Sequence, residues 1–247
     1  VIGKKLDFAA YGIDIKFADE ALRLLAREAH AENTGARGLV SAVERALLPF
    51  EKHLPSTDIR RFPVSVRVIR EPEAMLAELA NAQGRIEAEQ TFEGLREAER
   101  QAIRTYIREN RRILSDKYNL AMTPSRLDIL SASYVNQLSD VGQVFERVKS
   151  SYDQIKKIEL DFFKAHDINI VLEEDAIDFV MEQLVDNAVT LEAFARKLAA
   201  DFELGLKLVV EKTGKHRFFL NRQALQDPEK FISGLIRNGM PTPTPSP

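Results

Sequence analysis

The apolar positions of this chain change period several times, and each change predicts an element. Ile13, Ile15 and Phe17 alternate with Asp14 and Lys16, the period of two that a half-buried strand requires. Ala21, Leu22, Leu25, Ala26 and Ala29 then recur at three and four, a helix running to about Glu32-Asn33. Thr34-Gly35 breaks that run. A second helix follows, with Leu39, Val43, Ala46, Leu47 and Phe50 on one stripe, until Pro55 stops it. Arg61 to Arg70 reads as a returning strand with Val64, Val66 and Val68 on one face. Residues 1–72 are therefore predicted to form a small α+β unit, near the lower size limit for independent stability.

From Pro72 to about Ala165 the pattern is almost purely helical. The cleanest stripe is Leu127, Leu130, Tyr134, Leu138, Val141, Val144, Val148, Tyr152, Ile155, Ile158 and Phe162. Its mean spacing of 3.5 is the coiled-coil period and not the 3.6 of a straight helix. Met75, Leu79, Ala82, Ile86, Phe92, Leu95, Ile103, Tyr106, Ile107 and Ile113 form an earlier, less regular stripe. Asn119 to Ser125, containing Pro124, supplies a turn between the two. Residues 73–165 thus predict a long antiparallel helical hairpin with a coiled-coil-like seam; a globular bundle would use the same stripe.

The last third repeats the first. Leu6-Asp7-Phe8 matches Leu160-Asp161-Phe162, Ile13 to Phe17 matches Ile168 to Leu172, and Asp19-Glu20-Ala21-Leu22 matches Glu174-Asp175-Ala176-Ile177. A helix from Leu191 to Leu204 stands where the first copy has Ala36 to Phe50. Strands over Leu206 to Glu211 and His216 to Leu220 would close the copy, with Lys212-Thr213-Gly214-Lys215 as a hairpin turn. Residues 166–240 are read as a degenerate duplicate of the first unit, and residues 241–247, with a proline at every second position, as an extended, disordered tail. The fold class expected is α+β, mainly helical.

Composition narrows the function. Hydrophobic residues make up 45% and charged residues 30%, the balance of a chain that packs a core. Zero cysteines exclude a disulfide framework and thiolate chemistry, and fit a cytoplasmic setting. The formal net charge of −3 gives no whole-protein attraction to nucleic acid or anionic membrane. No apolar run approaches the ~20 residues of a membrane span and no charged-then-apolar leader opens the chain, so no membrane partner is expected. The start at Val1, directly into an apolar pattern, suggests the C-terminal piece of a longer protein.

The sharpest local feature is Asn33-Thr34-Gly35-Ala36-Arg37-Gly38-Leu39. With Thr34 as N-cap, Arg37 falls in the first turn of the second helix, where the macrodipole disfavours a cation by about 0.3–1 kcal/mol. No Asp or Glu between Gly35 and Ala42 offsets it. Free N–H groups, two glycines and an arginine at a helix start make an anion site, phosphate being the usual anion; the simpler reading is an arginine lying on solvent.

The order strand, helix, Thr-Gly-Ala-Arg-Gly-Leu, helix, strand resembles the small C-terminal lid domain of Clp-type AAA+ ATPases, closest to the ClpX-like unfoldases, over about Leu6 to Glu71. In that family the arginine of Gly-Ala-Arg is the sensor-2 residue that reaches nucleotide phosphates from the lid. The resemblance therefore implies Gly35, Ala36 and Arg37 as ATP-contacting residues. It also implies contacts with the large ATPase domain of the same protein and with neighbouring subunits in a ring, and a protein substrate or a partner peptidase. Ala18 stands where the family usually caps the first helix with Thr or Ser.

The sequence has no Gly-x4-Gly-Lys-Ser/Thr, since Gly214-Lys215 is followed by His216, and no apolar strand ending in Asp-Glu. Hydrolysis and the magnesium ion are accordingly expected in a large domain upstream, and the chain alone is expected to be inactive. The second copy offers only Phe194-Ala195-Arg196, reached by shifting the register four residues and lacking both glycines, so it is read as a structural copy without nucleotide.

Arg96, Arg100, Arg104, Arg108 and Arg112 recur every four residues. Each step overshoots a helical turn by about 40°, so they predict a wrapping ridge. Arg104, Arg108 and Arg112 have few local acids and are candidate contacts for an acidic partner. The competing function is thus a non-enzymatic scaffold that docks a partner on the hairpin or this ridge; nucleic-acid binding by the ridge is weaker, because aromatic interleaving is thin. His30, His53, His166 and His216 show no metal spacing, no catalytic triad is recognisable, and Glu173-Glu174-Asp175 is a dipole-favoured helix start.

Overall fold

The computed structural model describes residues 2–31, 36–136, 140–185 and 188–239. The chain is mainly helical, with two small parallel sheets of two strands each. It divides into two compact units. The first comprises residues 1–105 with 134–138, the second 106–133 with 139–247.

The first unit runs α1 (Ile2–Ala10), β1 (Asp14–Phe17), α2 (Asp19–Ala31), α3 (Ala36–His53), a 3-10 turn at Leu54–Ser56, β2 (Arg61–Val64), α4 (Val66–Arg70) and α5 (Pro72–Leu79), and takes in most of α6 (Ala82–Glu109). β1 pairs in parallel with β2, Ile15 opposite Phe62 and Phe17 opposite Val64. A parallel pair needs a crossover, which α2 and α3 provide. The inward strand residues Ile15, Phe62 and Val64 join Leu25, Val43, Leu47 and Phe50 in one buried cluster, and the Phe50 and Phe62 rings lie 4.8 Å apart.

Of the predicted strand Arg61 to Arg70, only Arg61–Val64 is extended. The Ser65 side chain accepts a hydrogen bond from the Val68 N–H, which caps α4 and turns the β-branched run into a helix. Pro72 then starts α5 at a position where a missing N–H costs nothing.

The second unit contains α7 (Arg111–Tyr118), α8 (Pro124–Asn136, whose last residues belong to the first unit), α9 (Val141–His166), β3 (Asn169–Leu172), α10 (Glu174–Val185), α11 (Leu191–Thr213), β4 (Arg217–Leu220), α12 (Arg222–Gln226) and α13 (Pro228–Gly239). The stripe from Leu127 to Phe162 is carried by two helices rather than one. α9 begins afresh at Asp140, whose carboxylate accepts the Gln143 N–H. A 3.5-residue period persists across such a break because each helix keeps its own apolar face.

The expected strand over Leu206 to Glu211 and its hairpin are absent. α11 continues to Thr213 with Phe194, Leu198, Phe202, Leu206 and Val209 buried at helical spacing. It stops at Gly214, left-handed at φ 68°, whose N–H returns to the Val210 carbonyl. β4 therefore pairs in parallel with β3, not as a hairpin.

With that correction the two units repeat one plan. β1-α2-α3-β2-α4-α5 and β3-α10-α11-β4-α12-α13 follow the same order with the same parallel pairing. The Ala18 N–H donates to the Val64 carbonyl as Glu173 does to Leu220, and Asp14 donates to Arg60 as Asn169 does to His216. Ser65 caps α4 as Asn221 caps α12, and a proline opens both α5 and α13.

Candidate functional site

Arg37 is the second residue of α3 and is exposed, with no acidic residue in the first turn of its helix. Among the described residues its guanidinium has no ion-pair or hydrogen-bond partner. By contrast α2 opens on Asp19 and Glu20, and α10 on Glu174 and Asp175, as the macrodipole favours. Gly35 and Thr34, the cap expected from the sequence, lie outside the described residues, and Ala36 is the first residue of α3. What holds the helix start is the packing beneath it. Val43 and Leu47 on α3 and Leu25 on α2 are buried in one cluster, so Arg37 projects from a helix whose position is set by apolar contact.

In the second unit the equivalent helix is superposed through its buried positions: Val43 and Leu47 correspond to Leu198 and Phe202, and Leu39 to Phe194. Glu192 then stands in the place of Arg37, and Phe194 of Phe194-Ala195-Arg196 is a buried core residue.

The arginine ridge is divided. α6 ends at Glu109, and Arg112 belongs to α7 beyond Asn110. Arg96 bonds Glu93 and Asn136, and Arg100 pairs with Glu97. Arg104 is half-buried and falls in the first unit, whereas Arg108 and Arg112 are exposed and fall in the second. They do not form one periodic surface on one helix.

Two charged clusters were not legible in the sequence. Lys16, 4% exposed, donates to Glu99 at 2.7 Å and to the Val135 carbonyl at 2.9 Å. Arg126, fully buried, donates to Asp178 at 2.8 Å, to the Ala121 carbonyl at 2.9 Å and to Glu174; Asp178 also accepts from Thr123. Burial pushes the Asp178 carboxyl up, against the opposing effects of Thr123 and Arg126. The charged partners are 48 to 83 residues apart, so no local pattern announces them. Both are internally satisfied networks that tie helices to a core. Among the described residues no group of three or more His, Asp or Glu could hold a metal ion, and no helix is long and apolar enough to cross a membrane.

The class defined by these features is a small parallel β-α-α-β domain with a solvent-facing arginine at the mouth of its second helix. Residues 3–50 match the family model described as the C-terminal, D2-small domain of ClpB protein. The match spans α1 through most of α3, including Gly35, Ala36 and Arg37, and supports a C-terminal small domain of a Clp-type AAA+ ATPase over this stretch. Clp-type is the level that this match shares with the ClpX-like resemblance. No solved structure matches the chain significantly.

Proposed function

We propose that residues 1–72 are the sensor-2 lid of a Clp-type AAA+ unfoldase, with Arg37 facing the β- and γ-phosphates of ATP held by a large domain of the same protein. The ClpX-like character rests on the Gly35-Ala36-Arg37 motif, and the family match supports the broader Clp level. The observation that carries the reading is the coincidence of that match with an exposed arginine opening α3 and no neighbouring acid. Nucleotide state would then bias the angle between lid and large domain, and the lid would contact the adjacent subunit of a ring. Magnesium would be held by the large domain, and the assembly would act in the cytoplasm on a protein substrate, with or without a peptidase.

One charge-assisted bond contributes about 1.5–3 kcal/mol, whereas even a millimolar site needs about 4 kcal/mol. The isolated chain should show no ATP turnover and no calorimetrically detectable ATP binding. In the parent protein, Arg37→Ala should lower ATPase activity or nucleotide-dependent assembly while the lid stays folded. Unchanged activity, or a collapse of thermal stability in that variant, would overturn the assignment, as would robust turnover by the chain alone.

A further inference from the structure

The two repeats treat the outer faces of their sheets differently. In the first, that face carries Asp14 and Lys16 on β1 opposite Arg61 and Pro63 on β2. α6 lies over it: Glu89 and Glu93, one turn apart, both accept from Arg61 at 2.6 and 2.8 Å, Phe92 sits beneath the guanidinium at 5.9 Å, and Glu99 takes Lys16. Lys16 and Pro63 are buried as a result.

In the second repeat the same register sets Asn169 and Val171 opposite Arg217 and Phe219. The inward residues Ile170, Leu172, Phe218 and Leu220 are all buried, so the pleat is intact. Of the outward ones, Val171 is half-buried, but Phe219 is 50% exposed, and Asn169 and Arg217 are exposed. Arg217, equivalent to Arg61, has no carboxylate among the described residues and folds instead over the Phe219 ring, 5.1 Å from its centroid. A half-exposed phenylalanine beside an arginine with no carboxylate partner among the described residues is an incomplete face of a regular strand.

We propose that this face docks an acidic amphipathic helix from a partner, in the manner of α6 on the first repeat. The occupant would bring two glutamates four residues apart to Arg217 and an apolar residue between them onto Phe219 and Val171. The chemistry of the occupant follows from the first repeat, where the same strand register and the conserved position of the arginine meet Glu89, Phe92 and Glu93. Aromatic and arginine side chains at the centre of such a contact carry most of its affinity, and the charge pair fixes its register.

The probe is a fluorescently labelled peptide of residues 82–104, titrated with the full chain and followed by anisotropy at low salt. Saturable binding is expected, weakened about tenfold or more by Arg217→Glu and separately by Phe219→Ser. A peptide with Glu89→Lys and Glu93→Lys should fail on the parent chain and recover on the Arg217→Glu chain. Both substituted residues are exposed, and a circular dichroism melt of each variant checks that the unit is folded; Arg217→Ala serves if Arg217→Glu is not. Absence of saturable binding, or binding indifferent to both substitutions, would overturn the proposal, the latter assigning the peptide to another surface.

Discussion

Arg37 and Glu192 hold the same position in equivalent helices of the two repeats, and they carry opposite charges. At a helix N-terminus the macrodipole favours Glu192 and opposes Arg37, so the second repeat has the self-consistent arrangement and the first does not. The unfavourable charge at this exposed helix start fits the phosphate-facing role proposed for Arg37, which Glu192 could not fill.

Arg126 is the most deeply buried charge in the second unit, and removing it strands Asp178. Arg126→Ala should cost about 3–5 kcal/mol of unfolding free energy, measured by urea titration. Replacing the pair together, Arg126→Met with Asp178→Leu, should restore most of that, because two apolar side chains leave no unpaired charge. A loss under about 1 kcal/mol in the single variant would show that Asp178 finds water instead.

Glu99 neutralises a lysine in the first unit. Among the described residues, Glu99→Ala leaves the Lys16 ammonium with the Val135 carbonyl as its remaining hydrogen-bond partner and should lower stability by about 1–3 kcal/mol. Adding Lys16→Met should recover much of it. If the double variant is no more stable than the single, the contribution of Glu99 is packing and not charge.

Gly84 inverts the usual rule for helices. Alanine for glycine in a helix ordinarily stabilises by about 0.5–1 kcal/mol. Here a Cβ would lie 2.2 Å from the Glu78 carbonyl oxygen, where α5 meets the start of α6. Gly84→Ala should therefore destabilise by about 1–3 kcal/mol in thermal melts, since backbone must move.

Tyr152 should titrate well above the ordinary range of a tyrosine. Burial first, then the charge of Glu174 and the hydrogen bond donated to it, push its phenol from 10.0 up to about 12. A raised acid favours the folded state while protonated, so its contribution is complete below pH 10.0 and is lost as pH climbs through about 12. Tyr152→Phe should remove the final step of the tyrosinate absorbance titration and flatten the fall of stability above pH 10.0. Absence of any tyrosinate step that Tyr152→Phe removes above pH 10.0 would contradict this.

Much of the plan was legible because its signals are local. The alternation of Ile13, Ile15 and Phe17 and the stripes of α2 and α3 all depend on residues a few positions apart. Errors fell where a β-branched run met a cap. Val66 and Val68 favour a strand until Ser65 captures the Val68 N–H, and Leu206 to Glu211 resembles a strand although Leu206 and Val209 continue the face of α11.

By itself, then, the order of residues determined the β-α-α-β order of the first repeat and the place of Arg37 at the start of its second helix, because periodicity and turn chemistry act within one element. Tertiary structure alone decided that β3 and β4 run parallel, that Lys16 meets Glu99 and Arg126 meets Asp178, and that Arg61 has its glutamates while Arg217 has none among the described residues. Those outcomes join positions remote in the chain, where the free energy of burying a charge or a strand face depends on what the rest of the fold brings against it.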